Sequence, residues 1–300
     1  MIPSLRWIAL AGCLSGLALT DVQAAAPVSA ELPPVEPHTF DLWPDGSPNN
    51  PAEGMPPRLR VYRPFAVADP DVTLIILPGG GYRLHSPYEQ VMAEFFRGLG
   101  YAVVVVEYRL VPHRYPAAFA DALRAVRMVR RHGREWGLPG SRIALLGASA
   151  GGHLAALVAT RPEVYRDSAD DLAGTVSARP DLLILLYPVI TAVAPYRHVS
   201  ITRILEPASP PAFFEAISPE RHVTAETPPT IIFHAADDAS ATVNNSLDFA
   251  QACWAAGVPA ELHVFPRGGH GRAFAYDPEV SPRWREILRQ WLNIQRKPSR

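Results

Sequence analysis

The chain has 300 residues, 48% of them hydrophobic and 19% charged, with a formal net charge of −1. That length suits one large α/β domain with a sizeable core, and the near-neutral charge gives no reason to expect nucleic acid or an anionic membrane surface as a partner. The 32 prolines cluster between apolar periodic segments, so they mark loops rather than general disorder.

At the N-terminus Arg6 precedes an apolar run over 7–19, and Val22-Gln23-Ala24 fits a small-residue cleavage site. This pattern predicts a signal peptide over 1–24, export to the periplasm or medium, and no stable membrane insertion after its removal. Leu10-Ala11-Gly12-Cys13 resembles a lipobox and offers a lipoprotein as the alternative. Cleavage after Ala24 would leave Cys253 as the one cysteine, so no intrachain disulfide is expected. Residues 25–58 are proline-rich, with turn signals at Pro44-Asp45-Gly46 and Ser47-Pro48-Asn49. They read as a linker and irregular entry to a domain over 59–300.

From residue 72 the chain alternates between short apolar runs and helical patterns. Val72-Thr73-Leu74-Ile75-Ile76-Leu77 reads as a strand buried on both faces. It leads into Pro78-Gly79-Gly80-Gly81-Tyr82, a loop whose glycines let backbone N–H groups approach a bound carbonyl closely. A helix is expected over 87–99, a strand over 101–107 and a helix over 116–136. In that last helix Ala117, Phe119, Leu123, Val126 and Val129 form the apolar face, and the arginines are expected on the other.

Arg142-Ile143-Ala144-Leu145-Leu146 is the next strand, followed by Gly147-Ala148-Ser149-Ala150-Gly151-Gly152-His153 and a helical run. This is G-x-S-x-G between a strand and a helix, the context of a nucleophile elbow. Ser149 would stand above the sheet edge, with the Ala150 N–H at a helix N-terminus facing any developing oxyanion. A further strand covers 181–187. The segment 189–227 is irregular and proline-rich, and is expected to be an insertion or lid, or else a plain surface excursion.

Strands at 230–234 and 260–265 and helices at 243–256 and 281–294 complete the pattern. Alternating strands and helices predict a mostly parallel sheet with helices on both faces and a site beyond the carboxyl ends of its strands. Asp237 and Asp238 follow the first of these two strands, and His270, bounded by glycines, follows the second. An acyl-transfer serine needs a base and an orienter in the order Ser, acid, His, and Ser149, Asp237 or Asp238, and His270 satisfy it. His153, His234 and His263 read as structural, and Cys253 as a packed core thiol. No clustered His/Cys spacing suggests a metal, and no cofactor is needed.

The glycine loop, Tyr108-Arg109-Leu110-Val111-Pro112, Tyr115-Pro116-Ala117-Ala118, the Ser149 elbow and Gly269-His270-Gly271 occur together here. In combination they resemble the α/β-hydrolase esterases, especially the acetylxylan-esterase-like and hormone-sensitive-lipase-like branches, over about residues 60–295. The resemblance implies Ser149 as nucleophile, His270 as base and an oxyanion hole from Gly80, Gly81 and Ala150. Asp238 holds the register of the family's D-x-x-V-P acid, although Ala241 and Thr242 stand where valine and proline are common. Pro78 replaces the histidine of lipase-type loops, which places the chain nearer the carbohydrate-esterase branch. Tyr82, Arg83 and Glu89 would then shape the pocket, with Tyr82 as a substrate contact. The implied function is hydrolysis of a small-molecule or oligosaccharide ester through an acyl-enzyme. A general short-chain carboxylesterase or lipase, a serine peptidase and a non-catalytic binding relative are the alternatives.

Overall fold

The structure is a computed structural model that describes residues 37–43, 46, 55–65, 72–138, 142–165, 169–206 and 208–295. The expected export segment over 1–24, Cys13 and much of 25–58 lie outside the described residues. Eight strands form one sheet: β1 (His38–Asp41), β2 (Arg58–Tyr62), β3 (Val72–Leu77), β4 (Ala102–Glu107), β5 (Arg142–Ala148), β6 (Leu182–Leu186), β7 (Thr230–Ala235) and β8 (Ala260–Phe265). Their spatial order is β1-β2-β4-β3-β5-β6-β7-β8. β1 pairs with β2, and β2 with β4, antiparallel; every other pairing is parallel. The fold is an α/β-hydrolase fold.

Side-chain alternation along each strand divides the core in two. Leu74 and Ile76 of β3 pack with Met92 and Phe96 of α1 (Tyr88–Gly98) and with Trp284 and Leu288 of α8 (Val280–Ile294). Ile75 and Leu77 pack on the other face with Phe119 and Leu123 of α2 (Ala117–His132), Leu154 of α3 (Ala150–Thr160) and Phe249 of α6 (Asn244–Ala255). All six residues of β3 are buried, which is why it reads as an unbroken apolar run instead of an alternating one. Burying each Leu or Ile side chain contributes about 1.5–3 kcal/mol. Cys253 sits in this core, and burial pushes its thiol up to about 12.

Several expectations change. β1 lies inside the stretch read as linker. It is a four-residue edge strand with exposed His38, Thr39 and Asp41, so it carries almost no apolar signal. Behind it Leu42 and Trp43 are buried, Trp43 Nε1 donates to Asp121 at 2.7 Å, and Phe40 stacks on Trp136 at 4.4 Å. α2 starts after Pro116 and ends at His132, four residues short of the expected end. Its arginines are not all on a wet face: Arg124 and Arg127 are buried, and each lies 2.7 Å from a carboxylate oxygen of Asp170. A charged residue can face the core there because its partner and hydrogen bonds are built in.

The segment over 189–227 holds α4 (Val199–Arg203), α5 (Pro211–Ala216) and a 3₁₀ turn at Pro219–Arg221. Ile201, Ile204, Leu205 and Ile217 bury it against the α2 and α3 face. One unforeseen helix, α7 (Arg272–Tyr276), follows the His270 loop. Among the described residues no helix is long and apolar enough to cross a membrane.

Candidate active site

Ser149 ends β5 and opens α3 with φ 53° and ψ −119°, a backbone region that side chains rarely adopt. The chain tolerates it because the turn is fixed on both sides. Ser149 N–H donates to Leu186 O at 3.0 Å, and its carbonyl accepts from Val189 N–H at 3.0 Å. Gly151 makes the turn possible. A Cβ there would overlap the carbonyl oxygens of Leu77 and Pro78, so α3 starts directly against the end of β3.

A two-bond relay runs from the hydroxyl. Ser149 Oγ lies 2.8 Å from His270 Nε2, and His270 Nδ1 lies 2.7 Å from Asp238 Oδ2. The carboxylate can only accept from Nδ1–H, which leaves the Nε2 lone pair for the serine proton. Asp238 Oδ1 takes the N–H groups of Ser240 at 2.9 Å and Ala241 at 3.0 Å. Burial alone would raise the Asp238 pKa, but His234, His270 and the Ser240 N–H outweigh it and hold the carboxyl well below the usual range. The imidazole is steadied on its other side by the Tyr187 ring, 5.1 Å away edge-on.

The structure separates the two adjacent aspartates. Asp238 faces His270, whereas Asp237 Oδ1 accepts the Gly269 N–H at 2.8 Å and so pins the loop that carries the base. His234 is buried; its Nε2 donates to Ala241 O at 2.8 Å, and its Nδ1 accepts from the Ser246 hydroxyl at 2.7 Å. It braces the Asp238 loop from below.

Gly79, Gly80 and Gly81 follow β3 and line the same cavity as Ser149 and His270. The Gly79 N–H is taken by Glu89 Oε1 at 2.8 Å. Among the described residues the N–H groups of Gly80, Gly81 and Ala150 have no partner, and these are the three assigned to an oxyanion. Gly80 has φ 115°, where a Cβ would strike the Leu84 backbone, so the sharp turn needs glycine.

Tyr82 does not contact this cavity, and its expected substrate role is corrected. The positive φ values from Gly80 to Tyr82 turn its side chain inward, where it is 1% exposed. Its hydroxyl lies 2.8 Å from His153 Nδ1, while His153 Nε2 lies 2.7 Å from Ile217 O. A carbonyl cannot donate, so Nε2 carries the proton and Tyr82 O–H donates to Nδ1. Burial pushes the His153 pKa down to about 4.

Among the wall residues that the sequence reading did not single out are His198 and Arg203. Both come from the segment over 189–227, whose irregular composition marks no functional position. Arg203 Nη1 donates to Gly81 O at 3.1 Å, joining α4 to the glycine loop. The cavity enclosed has a volume of about 530 Å³.

The BD-FAE family model matches residues 59–253. The chain belongs to the BD-FAE family. That family is one of α/β-hydrolase esterases. Its match covers Ser149 and Asp238 but stops short of His270, whose place is given by the geometry above. Among similar proteins, endo-1,4-beta-xylanase B of Butyrivibrio fibrisolvens is 34% identical over 212 residues, 68% of this chain and 33% of that protein. The acetylxylan esterase of Xylanibacter ruminicola is 28% identical over 228 residues, 73% of this chain and 45% of that protein. The chain thus spans a third to under half the length of these relatives. The acetyl ester-xyloside bifunctional hydrolase of Caldicellulosiruptor lactoaceticus has a similar structure, with TM-score 0.79 and 35% identity. That similarity covers 86% of this chain and 96% of the other.

Proposed function

We propose that this chain hydrolyses carboxylic esters through an acyl-enzyme on Ser149, and that its substrate is an acetyl ester of a carbohydrate. The observation that carries the reading is the relay Ser149–His270–Asp238, with bonds of 2.8 and 2.7 Å, beside three N–H groups that have no partner among the described residues. His270 Nε2 removes the Ser149 proton as Oγ attacks the ester carbonyl. The carbonyl oxygen, now an anion, accepts from the N–H groups of Gly80, Gly81 and Ala150. His270 then protonates the departing alcohol, and the acyl group stays on Ser149. Water enters, gives its proton to His270, and releases the acid as the proton returns to Ser149. Asp238 keeps the imidazole in the required tautomer and stabilises its cationic form.

The carbohydrate acetyl ester is supported by the names of the relatives, which act on xylan, and by a cavity of about 530 Å³, within the size range of small-ligand sites. Export is part of the same proposal. It is supported by Arg6, the apolar run over 7–19 and Val22-Gln23-Ala24. N-terminal sequencing of the exported protein tests it, with a mature end near residue 25 expected.

The function is tested with p-nitrophenyl acetate, butyrate and octanoate beside an acetylated xylo-oligosaccharide, wild type against Ser149→Ala. Ser149→Ala should fold normally and lose roughly four or more orders of magnitude in kcat. Serine-dependent acetate release from the oligosaccharide is expected. Serine-dependent cleavage of the synthetic esters alone would reduce the reading to a general carboxylesterase, and ordinary turnover by the variant would reject it.

A further inference from the structure

Two arginines, Arg83 and Arg203, are among the residues that line the catalytic cavity. Neither lies within 4.0 Å of a carboxylate among the described residues. Arg203 spends one N–H on Gly81 O at 3.1 Å, which orients the rest of its fork. Arg83 is exposed and makes no side-chain bond among the described residues. It also borders a neighbouring cavity of about 160 Å³, whose Glu107 lies 3.7 Å from Arg60.

The carboxyls near the site do not neutralise this pair. Asp238 is committed to His270 and to the N–H groups of Ser240 and Ala241. Glu89 is 1% exposed and its Oε1 is taken by the Gly79 N–H; burial raises its pKa. His198 stands on the same wall, and its pKa is lowered by burial and by the nearby Arg203 guanidinium. The wall of the free cavity thus holds two arginines that no carboxylate within 4.0 Å pairs with among the described residues. A neutral ester has no group that calls for them, whereas a carboxylate matches an arginine fork with two parallel hydrogen bonds.

We infer that Arg83 and Arg203 form an anion subsite, so that the preferred substrate is an ester that also bears a carboxylate. The inference rests on the ester-hydrolase reading and narrows its substrate class. The carboxylate has two possible sources: the alcohol part, as in an acetylated sugar acid, or the acyl part, as in a dicarboxylic half-ester.

Two matched pairs separate these sources. Acetylated methyl glucuronoside against acetylated methyl glucoside tests the alcohol side. p-Nitrophenyl hemisuccinate against p-nitrophenyl 4-methylpentanoate tests the acyl side. In one pair the anionic ester should have the higher kcat/KM by about tenfold, the scale of one hydrogen bond to a charged group. Arg83→Gln and Arg203→Gln should each pull that ratio toward one, and added salt should do the same. Ratios at or below one in both pairs, with the neutral esters cleaved by wild type and not by Ser149→Ala, would overturn the subsite and leave the hydrolase reading standing. Calorimetric titration of Ser149→Ala with the same four esters reads the subsite without turnover. Tighter binding of an anionic member supports it, and equal or weaker binding of both overturns it even if no ester is turned over.

Discussion

Glu89 touches no atom of the relay, yet the site depends on where it holds the chain. Its Oε1 takes the Gly79 N–H, so the glycine loop can offer only the N–H groups further along. Glu89→Ala frees the loop and lets the donors drift from the oxyanion position. A lost or misplaced oxyanion donor costs about 2.7–4 kcal/mol when complete, and a loosened loop should cost part of that. We expect kcat to fall by about tenfold or more with KM little changed, and Glu89→Gln, which keeps an acceptor, to recover most of the rate. Equal losses in both variants would show that the negative charge matters instead. At this scale the sequence was legible wherever chain order and glycine context constrain a role, as for Ser149 and His270. It was ambiguous for Asp237 and Asp238, because neighbouring residues after a strand point in different directions and only the fold decides which meets the imidazole. It was misleading for Tyr82, since three successive positive φ values reverse a side chain without leaving any trace in composition.

Between elements, His153 is the joint. It rises from α3, accepts from Tyr82 of the glycine loop and donates to Ile217 of the segment over 189–227. It is buried and neutral, with a folded-state pKa of about 4 against 6.5 for the free side chain. Between those values the unfolded chain binds a proton that the folded chain excludes. Stability from this group is therefore complete above pH of about 6.5 and is lost as pH falls toward about 4, by about 3 kcal/mol in total. Urea unfolding across that range should give a steeper pH dependence for wild type than for His153→Gln. Identical slopes would place the proton uptake elsewhere. The elements that build this joint were unevenly visible. β3 to β7 are almost wholly buried and announce themselves as apolar runs. α4, α5 and α7 are five or six residues long and too short to show a helical period. The buried arginines of α2 were hidden because Asp170, their partner, lies more than forty residues further on.

For the molecule as a whole, the edge of the family match is not the edge of the fold. The match begins at residue 59, but one compact unit runs from Glu36, and β1, Leu42 and Trp43 close the sheet edge against α2. A chain begun at residue 36 should melt like the full-length protein. One begun at residue 59 loses Leu42 and Trp43 from the core, each worth about 2–5 kcal/mol, and should melt at least about 10 °C lower or fail to fold. Equal melting temperatures in calorimetry would mean that this edge contributes nothing. The parallel sheet was readable because each buried strand is self-evident; the antiparallel edge was not, because β1 is mostly exposed and β2 is five residues long with Arg58 and Arg60 alternating with its buried Leu59 and Val61. The relay also spans the molecule in time as well as in space. Ser149 and its base are 121 residues apart in the chain, and His270 follows the last strand to join the sheet. A chain still on the ribosome holds the hydroxyl without the imidazole, and that hydroxyl is an ordinary alcohol. The relay thus exists only once synthesis has passed His270 and the sheet has closed.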